Sequence, residues 1–213
     1  ADGQRRLADL LEERELESGH KAVSVGSFER FATEILEWSN SDIKPASKHP
    51  TAIEVVLEEY GEVLKPSHVV AGAGPDNKHD VLVQELPAGT AMDELLKGDG
   101  HGWEASPHHR FERLLKESEH PIGLLFNGEA LRLIFAPRGE SSGYITFPLE
   151  PMTTVAGRPM LGALQMLLGV DRMFSGSSDQ RLPELLNESR KRQNDVSTRL
   201  AEQVLEALWE LLL

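Results

Sequence analysis

Asn127-Gly128 stands between two apolar runs in the stretch PIGLLFNGEALRLIFAPRGESSGYITFP, residues 121–148, and this arrangement limits the fold more than anything else in the chain. The dipeptide tolerates the positive φ angles of a two-residue type I′ turn, so residues 122–136 read as a β-hairpin. Tyr144 to Phe147 follows as a third strand. Leu124, Leu125 and Phe126 are apolar in succession, which is the pattern of a strand covered on both faces by helices.

The rest of the chain supplies those helices. Leu7, Leu10, Leu11 and Leu16 recur at helical spacing up to about Ser18, and Ser27 is placed to cap a helix carrying Phe28, Phe31, Ile35 and Leu36. Ser39 to Pro50 is polar and reads as a loop. Thr51 and Glu54 match a capping box, which predicts a helix from Ala52 to Tyr60 stopped by Gly61. Short strands are expected at His68–Ala71 and Asp80–Leu86, on either side of a Gly-rich loop at 72–78. Ser106-Pro107 opens a helix with Phe111, Leu114 and Leu115 as its buried stripe, and Arg158 to Leu168 forms another, ended by Gly169. Residues 181–213 read as one long helix, weakest at Gln193-Asn194-Asp195. The expected class is α/β or α+β: a mixed sheet flanked by helices, divided into a helical extension (1–50), a core (51–157) and a C-terminal helical segment (158–213). The final Leu211-Leu212-Leu213 would expose an apolar patch, so the chain is expected to continue into another domain or to dock on a partner.

Composition excludes several functions. The chain has 213 residues, 39% of them hydrophobic, and no cysteine, which removes disulfides, thiolate zinc sites and a cysteine nucleophile. No apolar run approaches the roughly 20 residues of a membrane span, and the acidic amphipathic N-terminus resembles neither a secretory signal nor a transit peptide, so a cytoplasmic location is expected. With 22 Lys+Arg against 35 Asp+Glu, the net charge of -13 opposes extensive contact with nucleic acid. Arg190-Lys191-Arg192 and the cluster from Arg110 to Lys116 are the basic exceptions, read first as solvated helix faces and second as phosphate contacts.

Chemistry is harder to find. A Mg²⁺-dependent nuclease needs carboxylates from adjacent strands and a nearby lysine. The segment PDNKHDVLVQELP offers Asp76, Asp80, Gln84 and Glu85, but Leu86 stands where the lysine of an acid-x-Lys pair belongs. Strand alternation also sends Gln84 and Glu85 to opposite faces. These four residues are degenerate site candidates, and no catalytic residue is assigned among them. His79, His101, His108 and His109 match no zinc spacing, Gly72-Ala73-Gly74 lacks the Gly-Lys-Ser/Thr of a phosphate loop, and Ser141-Ser142-Gly143 lacks a nucleophile elbow. No metal site is expected.

Val81-Leu82-Val83-Gln84, Gly102-Trp103, Ser106-Pro107, Phe111-Glu112-Arg113-Leu114-Leu115, the segment APRGESSG at 136–143 and the terminal helix together resemble one kind of protein. It is the N-terminal region of large bacterial restriction-modification and phage-defence adenine methyltransferases, type IIG-like enzymes and the class 1 DISARM methyltransferase among them. The likeness covers roughly Ala52 to Leu213. It implies a PD-(D/E)xK nuclease-like fold, here degenerate, with remnant positions at Asp76 or Asp80, Gln84 and Leu86. It also implies a downstream methyltransferase domain using S-adenosylmethionine, DNA as the partner of the whole enzyme, and other defence-system subunits as further partners. The expected function is a noncatalytic module for DNA positioning or partner docking. The alternatives are a Mg²⁺-dependent endonuclease domain, with Lys78 serving from the loop, and an acidic protein-interaction domain.

Overall fold

Two apolar segments, Val81–Glu85 (β7) and Ile122–Phe126 (β8), form the centre of the computed structural model, which describes residues 2–15, 21–71, 80–95 and 103–211. They pair in parallel, with Val83 opposite Leu124, and the helix Pro107–Glu117 (α3) makes the crossover between them. Ala130–Phe135 (β9) and Gly143–Pro148 (β10) extend the sheet on one side, while His68–Val70 (β6) and Ile43–Pro45 (β3) extend it on the other. The result is a six-stranded mixed sheet in the order β10-β9-β8-β7-β6-β3, in which only β7 and β8 are parallel.

Period-two alternation divides the core between the two faces of this sheet. Val81, Val83, Leu124, Phe126, Leu131 and Leu133 face Asp2–Leu10 (α1), Phe28–Ile35 (α2), Leu149–Met152 (α4) and Arg158–Leu168 (α5). Phe28 meets Phe126 edge-on at 5.8 Å and Trp38 at 6.0 Å, and the Trp38 indole Nε1 donates to the Leu168 carbonyl across 2.6 Å. Such side chains contribute about 1.5–3 kcal/mol each when fully buried. The opposite face carries Leu82, Leu125 and Ile134 beneath Phe111, Leu114 and Leu115 of α3. Gly123 allows that helix its close approach, because a Cβ there would lie 2.6 Å from Phe111 Cε1 and 2.8 Å from Leu115 Cδ1.

The caps follow the sequence reading: Ser27 Oγ accepts from Arg30 N, and Ser106 Oγ from His109 N, with Pro107 opening α3. The hairpin 122–136 is present, yet its turn is different. Asn127 N donates to the Ala130 carbonyl, so Gly128 and Glu129 occupy the turn, and Gly128 alone has positive φ, the pattern of type II′. Asn127 instead uses its side chain, whose Oδ1 accepts from Glu129 N and Ala130 N.

The expected helix from Ala52 to Tyr60 is replaced by Val55–Leu57 (β4), a 3-10 turn at Glu58–Tyr60, and Glu62–Leu64 (β5), paired antiparallel with Val56 opposite Val63. A nine-residue helix is marginal on its own, and Val55-Val56 favours extended backbone; pairing also lets Leu57 and Leu64 bury beneath the sheet's second face. Gly61 is a stop as expected, but of the turn inside this hairpin. The first helix ends at Leu10, where the following Glu12–Glu15 (β1) has nothing apolar to bury and pairs with Lys21–Ser24 (β2); Leu16 lies outside the described residues. The expected loop at 39–50 contains β3, because Ile43 is buried at the sheet edge, where a following proline costs no ladder bond. Leu182–Leu211 (α6) runs unbroken through 193–195, since exposed residues of modest propensity cost a helix only tenths of a kcal/mol each when no Gly or Pro intervenes. Among the described residues, no helix is long and apolar enough to cross a membrane.

Gly123→Ala is expected to destabilise the chain by about 1–3 kcal/mol, through overpacking against Phe111 and Leu115. Urea unfolding at unchanged m-value checks this.

Candidate functional site

Parallel strands carry their carboxyl ends to one edge, the usual position of a crevice in α/β sheets. Here that edge holds a cleft of about 500 Å³ lined by Val25, Gly26, Ser67, Glu85, Pro87 and Asn127 among others. Its floor is tight at Gly128, whose carbonyl accepts from Val25 N at 2.8 Å and where a Cβ would come within 2.9 Å of the Val25 carbonyl oxygen. Glu85 Oε1 accepts from Phe28 N at 3.1 Å, in the first turn of α2, where the helix dipole favours a carboxylate. Ser67 Oγ accepts from Glu85 N at 3.0 Å and from Gln84 Nε2 at 3.2 Å, so one hydroxyl fixes the end of β7 and the Gln84 amide together. Gln84 and Glu85 point to opposite faces, as alternation requires.

Asp80 is far from this cleft. It precedes β7, is 3% exposed, and its Oδ2 lies 3.2 Å from His49 Nε2, while His49 Nδ1 lies 2.7 Å from the Thr51 carbonyl. Five residues of strand separate Asp80 from Glu85, about 16 Å. The fold therefore brings Gln84 and Glu85 to one strand end and leaves Asp80 at the other. Asp76 and Lys78 lie outside the described residues, as do His79, His101 and the Gly72–Gly74 loop. Among the described residues, no group of three or more His, Cys, Asp or Glu side chains could hold a metal ion.

A second polar cluster lies across α3 and β10. Arg132, buried in the middle of β9, donates Nη1 and Nη2 to Asp93 at 2.6 and 2.8 Å and Nε to Thr146 Oγ1 at 2.8 Å. Its guanidinium lies 4.4 Å from the Tyr144 ring centroid, and Tyr144 meets His108 at 4.8 Å. Sequence reading missed this cluster, although a lone arginine inside the apolar run ALRLIF was its signal: a buried charge must find partners. The Arg132 fork holds the Asp93 carboxyl below its ordinary range, through hydrogen bonding first and charge second. Burial holds His108 below the ordinary histidine range, and the Arg132 charge adds to this. For Glu112, burial pushes upward, but hydrogen bonds from Lys116 and Ser142 outweigh it and hold the carboxyl low.

The basic clusters are largely neutralised within the chain. Arg190 donates to Glu140 at 3.1 Å and to Ser141 Oγ at 2.6 Å, and Arg192 pairs with Glu188 at 2.6 Å; Lys191 is exposed. Arg110, Arg113 and Lys116 pair with Glu62, Glu59 and Glu112.

A family model described as MmeI, N-terminal domain, matches residues 8–213. The chain belongs to that family. It is accordingly an N-terminal region of a type IIG restriction-modification enzyme. No curated protein and no solved structure matches it. The matched span takes in both hairpins, the cleft at the end of β7, the Arg132 cluster and α6, so all of these are features of an MmeI N-terminal domain.

His108 sets a pH dependence. Its folded pKa lies below the unfolded value of about 6.5, so the unfolded chain binds the proton more readily and stability falls as pH drops below about 6.5. Asp93, also depressed, adds to the loss below about pH 4. Thermal midpoints measured against pH are expected to fall less steeply between about pH 6.5 and 5 in His108→Leu than in the parent chain. A parent that gains stability over that interval contradicts the assignment.

Proposed function

We propose that this chain is a noncatalytic module of a restriction-modification enzyme, contributing DNA positioning or partner docking while methylation takes place in a downstream domain. The reading rests on the state of its acids. Asp80 and Glu85 are each engaged by the fold at opposite ends of β7, and Leu86, an apolar residue, stands two positions beyond Gln84 where a nuclease would place lysine. Mg²⁺ does not fit this set, because Asp80 and Glu85 are held at opposite ends of β7 and, among the described residues, no group of three or more His, Cys, Asp or Glu side chains could hold a metal ion. No step through a metal is derived. S-adenosylmethionine would be held by the downstream domain. A phage-defence parent of the class 1 DISARM kind is compatible with this role, as is a cytoplasmic location.

Lys191, which is exposed, and Arg192 beside it are the side chains through which the module would touch phosphate. In the full-length enzyme, Lys191→Glu with Arg192→Glu is expected to weaken DNA binding and to flatten the dependence of log K on log salt by about 1–2, at unchanged methylation rate once DNA is saturating. Incubation of the chain with plasmid DNA and Mg²⁺ or Mn²⁺ should leave the plasmid supercoiled. Metal-dependent cleavage that disappears in Asp80→Ala would overturn the noncatalytic reading in favour of an endonuclease. An unchanged salt slope in the double variant, together with retention of another subunit, would move the role from DNA positioning to docking.

A further inference from the structure

The Arg132 side chain is only 7% exposed, whereas Asp93, the acid that occupies its fork, is 62% exposed. A guanidinium rooted in the sheet is thus covered by a carboxylate at the surface. That carboxylate comes from neither a strand nor a helix. It belongs to the irregular stretch after β7, which is tied down through two of its carbonyls: Thr90 accepts from Asn127 Nδ2, and Met92 accepts from His108 N.

The setting of the Asp93 carboxylate favours an anion. Nη1 and Nη2 of Arg132 present one edge of the guanidinium to it, while Tyr144 lies 4.4 Å over the ring-facing side and Nε is spent on Thr146. Met92, whose carbonyl meets the first turn of α3, directly precedes Asp93, so the acid lies near the positive end of that helix. His108 and His109 also act on it electrostatically. Glu112, 3.8 Å from His108, is itself taken up by Lys116 and Ser142. In a chain of net charge -13, this is an unusual gathering of positive groups.

The carboxylate does not use all that the site offers. Asp93 takes one N–H from each of Nη1 and Nη2, and the second N–H of each has no partner among the described residues. The buried His108 Nδ1 has none either. Buried polar groups left over beside a displaceable acid suit an oxyanion with more acceptors than a carboxylate has.

We infer that the Arg132 fork is a site for phosphate, free or in a nucleic-acid backbone, and that Asp93 is its built-in latch, holding the fork until phosphate displaces it. Release of Asp93 opens the Nη1–Nη2 edge and moves an already exposed side chain fully into water. The site is separate from Lys191 and Arg192 and does not depend on the proposed function.

Inorganic phosphate titrated into the isotopically labelled chain at constant ionic strength should shift the Arg132 Nε–H and Asp93 N–H resonances together, with saturation at millimolar concentration. Asp93→Asn keeps the shape of the latch without its charge and should bind phosphate about tenfold more tightly. Adding Arg132→Lys keeps a cation but removes the fork, and should abolish that gain. A short DNA duplex separates the sources. If the phosphate belongs to nucleic acid, Asp93→Asn should tighten duplex binding and steepen the dependence of log K on log salt by about 0.9. Tighter inorganic phosphate with unchanged duplex binding upholds the site and assigns it to a free phosphate. Still Arg132 and Asp93 resonances in the parent chain overturn the inference, even where Asp93→Asn fails to fold, as does a gain in phosphate affinity that survives Arg132→Lys.

Discussion

The parallel pairing of Val81–Glu85 with Ile122–Phe126 governs the remainder of the structure. Parallel neighbours need a crossover, and α3 provides it; a parallel pair also needs cover on both faces, which recruits α1, α2, α4 and α5 on one side and α3 with the β4–β5 hairpin on the other. The antiparallel strands β9 and β6 then add on either side of this pair, and β10 and β3 form the edges of the sheet. Gly123 is the price of that plan, since the crossover helix must lie almost on the backbone of β8.

The same pairing determines what the strand ends can do. It gathers Ser67, Gln84, Glu85 and the Gly128 turn at one edge, while Asp80 stays at the far end of the strand with His49. Glu85 serves as an anchor for α2, joining the N-terminal layer to the central strand through a carboxylate at a helix start. An acid used in this way stabilises the fold and is poorly placed to take a metal.

Much of the architecture was legible from period and punctuation: the hairpin at 122–136, the strand at 81–85, the caps at Ser27 and Ser106 and the long terminal helix all rest on local signals. The failures share a physical cause. Ala52–Tyr60 satisfied a local capping rule, but nine residues could not hold a helix against the burial that Leu57 and Leu64 obtain in a hairpin. Ile43–Pro45 becomes a strand only because β6 lies beside it. At the site, the opposite orientation of Gln84 and Glu85 was readable from alternation, whereas Ser67 and His49 were not, because their importance arises from contacts 17 to 31 residues away. The partner of Arg132 was equally hidden, since Asp93 lies 39 residues distant.

The bond from Trp38 to the Leu168 carbonyl joins positions 130 residues apart. A ribosome makes the chain from its N-terminus at about 5–20 residues per second, so α2 emerges well before the helix that will cover it. During that interval Phe28, Phe31 and Trp38 have no finished layer to enter, and Glu85 and Phe126, which also hold them, arrive only part-way through. The N-terminal layer is thus the first made and the last completed. Nascent chains shorter than about residue 168 should be the ones that engage a holdase.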